Sequence, residues 1–272
     1  MAPPDHRGLS RRTWLAATAA TLGGLAAVPV RAASAKPVVP PDDKRVAART
    51  VTLPGASGPL QAYYARPAAT RGKVPAVLVI HESRGRTDYI EDVARRLAVA
   101  GYLALAPDFL SPRGGTPPEA DKARAAATGL DTDQVTADAV AALVWLKGRD
   151  EGTGKVAALG FAWGGGIVAR LAAAAPALDA AVIFYGKPPP ERDARHIKAP
   201  LQLHYAGLDT KDDAAGPAFE AVLRAGSVPF ESYTYDNVAA SFHNDTAGSR
   251  FNADAAKLAW DRTMTFLKQR LG

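Results

Sequence analysis

A doubly wound, mainly parallel α/β sheet flanked by helices, in a single domain, is the architecture that this sequence predicts. Two observations carry that expectation. Five short runs are almost wholly apolar: Ala76 to Ile80, Tyr102 to Ala106, Val156 to Leu159, Ala180 to Phe184 and Leu201 to Tyr205. Strands without a polar face are buried on both faces, as in a parallel sheet. Between the runs the apolar period lengthens to that of helices, and alternation of the two kinds of segment implies right-handed crossovers.

Composition removes several classes of function. The 272 residues are 47% hydrophobic and 22% charged, with 24 Gly, 21 Pro and no Cys, which is globular and too apolar for a disordered chain. Lack of cysteine excludes a disulfide scaffold, a zinc-thiolate centre and a cysteine nucleophile. The net charge of +6 falls to +3 once residues 1–35 are set aside, because Arg7, Arg11, Arg12 and Arg31 face only Asp5 there. So mild and dispersed a charge argues against a nucleic-acid partner.

In chain order, Ser10-Arg11-Arg12-Thr13-Trp14-Leu15 precedes a weakly apolar stretch from Ala16 to Val28, with small residues for cleavage after Ala32 or Ala35. That pattern is identified as a twin-arginine export signal over 1–35. The stretch is broken by Gly23, Gly24 and Pro29, whereas a bilayer span needs about 20 strongly apolar residues, so no membrane association is expected after cleavage. The export machinery is then a transient partner and the mature protein periplasmic or secreted. Residues 36–48 read as a linker and 49–272 as the domain.

Arg49 to Leu53 and Leu60 to Arg66, joined through Pro54-Gly55-Ala56-Ser57-Gly58-Pro59, form an expected β-hairpin. Tyr89, Val93, Leu97 and Ala100 share a helix face, as do Val135, Ala139, Leu143 and Leu146 behind an Asp131-to-Gln134 capping box. Phe230 to Tyr235 alternates and suits a strand nearer the sheet edge. Ala256, Trp260, Met264 and Leu267 mark a last helix entered at Asn252.

In such a sheet the chemistry sits just past the carboxyl ends of the strands. After Val156 to Leu159 comes Gly160-Phe161-Ala162-Trp163-Gly164-Gly165-Gly166, then an apolar helix from Ile167 to Ala175. Glycines at both ends of a Gly-x-nucleophile-x-Gly turn let strand and helix approach closely and thrust the middle residue into the open. Here that residue is Ala162. No G-x-G-x-x-G follows the first strands and no histidine pair has metal spacing, His81-Glu82 lacking a second histidine, so neither a dinucleotide, a metal nor another cofactor is expected.

Other strand ends carry His81-Glu82-Ser83-Arg84-Gly85, Pro107-Asp108, Phe184-Tyr185-Gly186 and Gly207-Leu208-Asp209, and Phe242-His243-Asn244-Asp245 precedes the last helix. With Asp92-Val93-Ala94-Arg95-Arg96-Leu97, this order resembles the dienelactone hydrolase (carboxymethylenebutenolidase-like) family, in particular its exported members. The resemblance runs from about Val51 to the C-terminus. It implies an α/β-hydrolase fold, hydrolysis of a small-molecule ester or lactone through a covalent acyl intermediate, and an oxyanion hole from the backbone N–H groups of Trp163 and Ser83. It also implies carboxylate-bearing substrates held by basic side chains, for which Arg84, Arg86 and Arg113 are candidates by position, with Glu82 and His243 as further lining candidates.

Two departures stand against these agreements. Family members carry Cys at the position of Ala162 and His at that of Ala240, so of the implied triad only Asp209 remains. A methyl group neither attacks a carbonyl nor carries a proton. Loss of such a member can cost about a million-fold in turnover, and the resemblance therefore implies an inactive or strongly weakened enzyme, or a binder of small carboxylates or lactones. On paper a relocated set assembles Ser83 or Ser241 with His243 and Asp209, although a triad is a geometry and not an inventory. His243 reads more simply as a structural loop residue, His204 as a hydrogen-bonded core residue and His196 as a surface one. Ser83, Asn237, Val238 and Ala239 also depart from the family, a clustering that favours natural drift over replacement of the two residues by design.

Overall fold

The computed structural model describes residues 36–209 and 215–272, so the expected export signal lies outside the described residues. The expected hairpin is β1 (Val46–Pro54) and β2 (Pro59–Pro67), antiparallel with Leu53 opposite Leu60. Six further strands follow: β3 (Val74–Ile80), β4 (Leu103–Asp108), β5 (Gly152–Phe161), β6 (Ala180–Phe184), β7 (Leu201–Ala206) and β8 (Phe230–Tyr235). They form one sheet in the order β1-β2-β4-β3-β5-β6-β7-β8. Only the hairpin and the β2–β4 contact are antiparallel. From β4 to β8 every pairing is parallel, as the continuous apolar runs require.

Alternation along the strands divides the core into two layers. Leu78, Ile80, Ala158 and Ile183 face one side, where α3 (Thr132–Lys147), α4 (Trp163–Ala174) and α6 (Gly216–Ala225) pack. Val77, Val79, Leu159 and Val182 face the other, covered by α1 (Asp88–Val99) and α7 (Ala253–Leu271). Each fully buried Leu, Ile or Val in these layers contributes about 1.5–3 kcal/mol. Two helix starts are fixed by side chains: Asp131 accepts from the N–H groups of Asp133 and Gln134, and Asn252 from that of Ala255. Tyr89, Val93 and Leu97 are buried as expected, whereas Ala100 caps the end of α1 and is exposed. The helices α2 (Ala120–Thr128), α5 (Glu191–Ala194) and α6 have no counterpart in the sequence reading.

The stretch read as a linker is part of the fold. β1 already begins at Val46, and Val39 is buried. The backbone N–H groups of Val38 and Val39 donate to the Asp92 carboxylate at 3.1 and 2.8 Å, and Arg95 Nε donates to the Val39 carbonyl at 2.7 Å. Asp92 also pairs with Arg96, whose guanidinium reaches Asp245 at 2.5 Å, so α1 ties the lead-in strap to the loop before α7.

Connections reverse direction beside β3. The chain leaves β3 toward β4 on one side, then returns to lay β5 on the other and builds outward to β8. The crevice past the carboxyl ends of β3 and β5 is therefore the switch point at which such sheets bind ligands.

Candidate active site

Close contacts among glycines shape the turn from β5 into α4. A Cβ on Gly164 would stand 2.3 Å from the His81 carbonyl oxygen, and one on Gly160 would stand 2.5 Å from that of Gly164. Only hydrogen at these positions lets the first turn of α4 press against the end of β3. Between them Ala162 adopts φ 50° and ψ −115°, a conformation that costs an L-residue about 1–3 kcal/mol. It is held there by its N–H donating to the Phe184 carbonyl at 3.0 Å and its carbonyl accepting from Gly166 N–H at 3.1 Å. Among the described non-glycine residues, Tyr185, Ser227, Asn237 and Ser241 also have positive φ. All but Ser227 lie on the loops after β5, β6 and β8.

Ala162, Trp163 and Ser83 line one cavity of about 870 Å³. The N–H of Trp163, first in α4, has no intrahelical acceptor. Neither a side-chain cap nor an acidic residue in the first turn offsets the positive helix end. The Trp163 ring stacks on His81 at 5.3 Å between centroids. His81 itself is fully committed, with Nδ1 donating to the Glu82 carbonyl at 2.7 Å and Nε2 accepting from Phe109 N–H at 3.3 Å. Burial holds its pKa below the ordinary value, so it stands as a neutral structural residue.

Asp209 and Ala240 lie on loops that are laced together. Gly207 N–H donates to the Tyr235 carbonyl at 2.9 Å and Leu208 N–H to that of Val238 at 3.0 Å. Ala240 is half-buried and packs against the same apolar cluster as Ala162, although it is not among the residues lining the cavity.

Glu82 is buried beneath these loops. Its Oε2 accepts from Asn244 Nδ2 at 2.7 Å, while Oε1 is buried with no hydrogen-bond partner. Burial pushes its pKa up against the smaller opposing effects of the Asn244 bond and of Arg84 and Arg250. Ionising it therefore costs stability, nothing below its unfolded pKa and the full penalty above its folded one. Glu82→Gln, which keeps an acceptor for Asn244, is expected to raise the melting temperature more at pH 8 than at pH 5; an equal shift at both would contradict the raised pKa.

Of the other sequence candidates, none lines the cavity. His243 is buried, with Nδ1 2.7 Å from the Tyr89 hydroxyl and its ring stacked on Phe161 at 5.3 Å. Burial, aided by Arg96, lowers its pKa to about 3, so it is a structural residue and a weak base. The unfolded chain binds a proton here below about pH 6.5 that the folded one refuses down to about 3. Stability is thus complete above about pH 6.5 and declines as pH falls through that window. Denaturant midpoints are expected to fall steadily between pH 7 and pH 4, and a flat profile would contradict this. His204 is buried between Tyr235 and Gln202, and His196 is exposed, as the sequence implies.

The three arginines proposed for a carboxylate are placed elsewhere. Arg84 is half-buried, with Nε buried and unpartnered; Arg86 pairs with Glu91 at 3.4 Å. Arg113 is exposed and borders a separate cleft of about 480 Å³ with Asp131 and Asp138. The cations that do line the main cavity are Arg170, paired with Asp133 at 3.2 Å, and Lys187, which has no ion pair among the described residues. Lys187 directly follows the Phe184-Tyr185-Gly186 motif, and that adjacency is its one signal in the sequence. No cluster able to hold a metal ion occurs among the described residues.

A mostly parallel eight-stranded sheet, covered by helices on both faces and carrying a strained strand-to-helix turn over a cavity, is the α/β-hydrolase fold. Residues 60–271 match the profile of the dienelactone hydrolase family, and the chain belongs to that family. It is 31% identical to the protein of Methylorubrum extorquens named "Putative carboxymethylenebutenolidase", over 96% of this chain and 93% of that one. A protein of the same name from Escherichia coli K12 is also 31% identical, over 84% of this chain and 89% of its own length. Among solved structures, a dienelactone hydrolase-like promiscuous phosphotriesterase from metagenomic libraries superposes with a TM-score of 0.74 at 26% identity, covering 84% of this chain and 100% of that one.

Proposed function

We propose that this protein is an exported member of the family that binds a small-molecule ester, lactone or carboxylate at the Ala162 turn without hydrolysing it efficiently. One observation carries the reading: the strained turn opens onto the cavity beside the Trp163 and Ser83 backbone, yet the side chain at its apex is a methyl group. Ala162 stands at the family's nucleophile position and Ala240 at its histidine position, so attack and proton transfer both lack an agent while Asp209 keeps only an orienting role. The two N–H groups are left to hold a carbonyl or carboxylate oxygen. Export rests on the twin-arginine pattern around Arg11 and Arg12, and places the mature protein in the periplasm or outside the cell.

The reading is tested with simple aryl esters. The native chain should turn them over near the background rate while binding them. A robust rate lost on Ser83→Ala or Ser241→Ala would replace it with a relocated serine nucleophile. The burial of His243 against Tyr89 weighs against that alternative.

A further inference from the structure

Beyond the carbonyl end, the cavity extends away from β3 and β4. Its far wall is built by α4, α5 and α6, through Ile167, Ala194, Ala218, Phe219 and Val222, closed by the Pro188-Pro189-Pro190 stretch after β6. Ile167, Ala194 and Phe219 are each at most 5% exposed, so a ligand reaching them meets packed core side chains, while Arg170, Lys187 and Glu191 line the same cavity. Three side chains of similar chemistry come from three different helices. Such a wall is a preformed apolar subsite, and a small polar lactone or acetate would leave most of the 870 Å³ unfilled.

We propose that the ligand of this site is an ester with a bulky apolar acyl group, a medium-chain alkyl or an arylalkyl, whose carbonyl rests at Trp163 and Ser83 and whose apolar body fills the wall formed by α4, α5 and α6. This rests on the ester-binding reading above and adds the size and polarity of the group bound. Each methylene moved from water onto such a wall strengthens binding by about fourfold, until the wall is filled.

The test uses the native chain and straight-chain methyl esters from acetate to octanoate, with methyl phenylacetate as the aryl probe, titrated by calorimetry or by chemical-shift perturbation. Affinity is expected to rise by about fourfold per methylene through at least hexanoate, with phenylacetate well above acetate. Ala218→Trp, a change at an exposed position of α6 that fills the cavity, should flatten the series, removing most of the gain of the longer esters over acetate. An affinity that is flat along the series, or best for acetate, overturns the bulky acyl group and leaves ester binding standing. Failure of every ester to bind overturns both.

Discussion

Ala162→Cys combined with Ala240→His should hydrolyse aryl esters or lactones, while neither single change does. Groups of a catalytic triad act as a unit, so restoring one alone recovers little, and the double variant is expected to exceed both singles by about a thousandfold or more. The turn itself suits the change: the apex residue is held at φ 50°, a conformation that would present an introduced thiol at the cavity. The Trp163 N–H stands at an uncapped helix start. Asp209 lies on a loop bonded to the one carrying position 240. Steady-state rates with folding verified check this. A double variant as inert as the singles would mean that the hollow has closed or moved, and that restoring these two side chains does not complete a site.

Asp92→Ala should be the most destabilising single change outside the sheet core. Its carboxylate is buried, accepts two backbone N–H groups from the lead-in strap and pairs with Arg96. Its removal strands buried donors and a guanidinium, and breaking a buried pair in this way costs about 3–5 kcal/mol. For a domain of this size that is a fall in melting temperature of about 10 °C. Asp261→Ala, which breaks the exposed pair with Lys257, should change stability by less than about 1 kcal/mol. Because Arg96 also holds Asp245, the Asp92 variant should exchange the amide protons of residues 241–245 faster than the native chain. A loss under about 1 kcal/mol, with unaltered exchange, would show the strap to be incidental.

The parts of the fold that were legible in the sequence are those decided by local pattern. The five apolar runs could be buried only as parallel strands, and Gly160 and Gly164 could be needed only where strand and helix touch. What the sequence hid is decided by distance along the chain. Val38 and Val39 read as linker because their partner Asp92 lies 54 and 53 residues away. The arginines were misplaced for a related reason. Proximity to the end of β3 or β4 does not reveal on which side of the crevice the cavity opens, and it opens toward α4, α5 and α6, where Arg170 and Lys187 stand. His243 could enter a relay set on paper but reads as a structural loop residue, and its burial against Tyr89 and Phe161 agrees with that reading.

The account depends on positions 162 and 240 facing one hollow, and alkylation kinetics test that most directly. With no native cysteine, Ala162→Cys supplies the only thiol. Its reaction with iodoacetamide, followed against pH, reports its ionisation. Adding Ala240→His should shift that profile to lower pH by one unit or more, because an imidazolium within reach stabilises the thiolate. Superimposable profiles with and without the histidine, in folded protein, would place the two positions out of each other's reach and contradict the account.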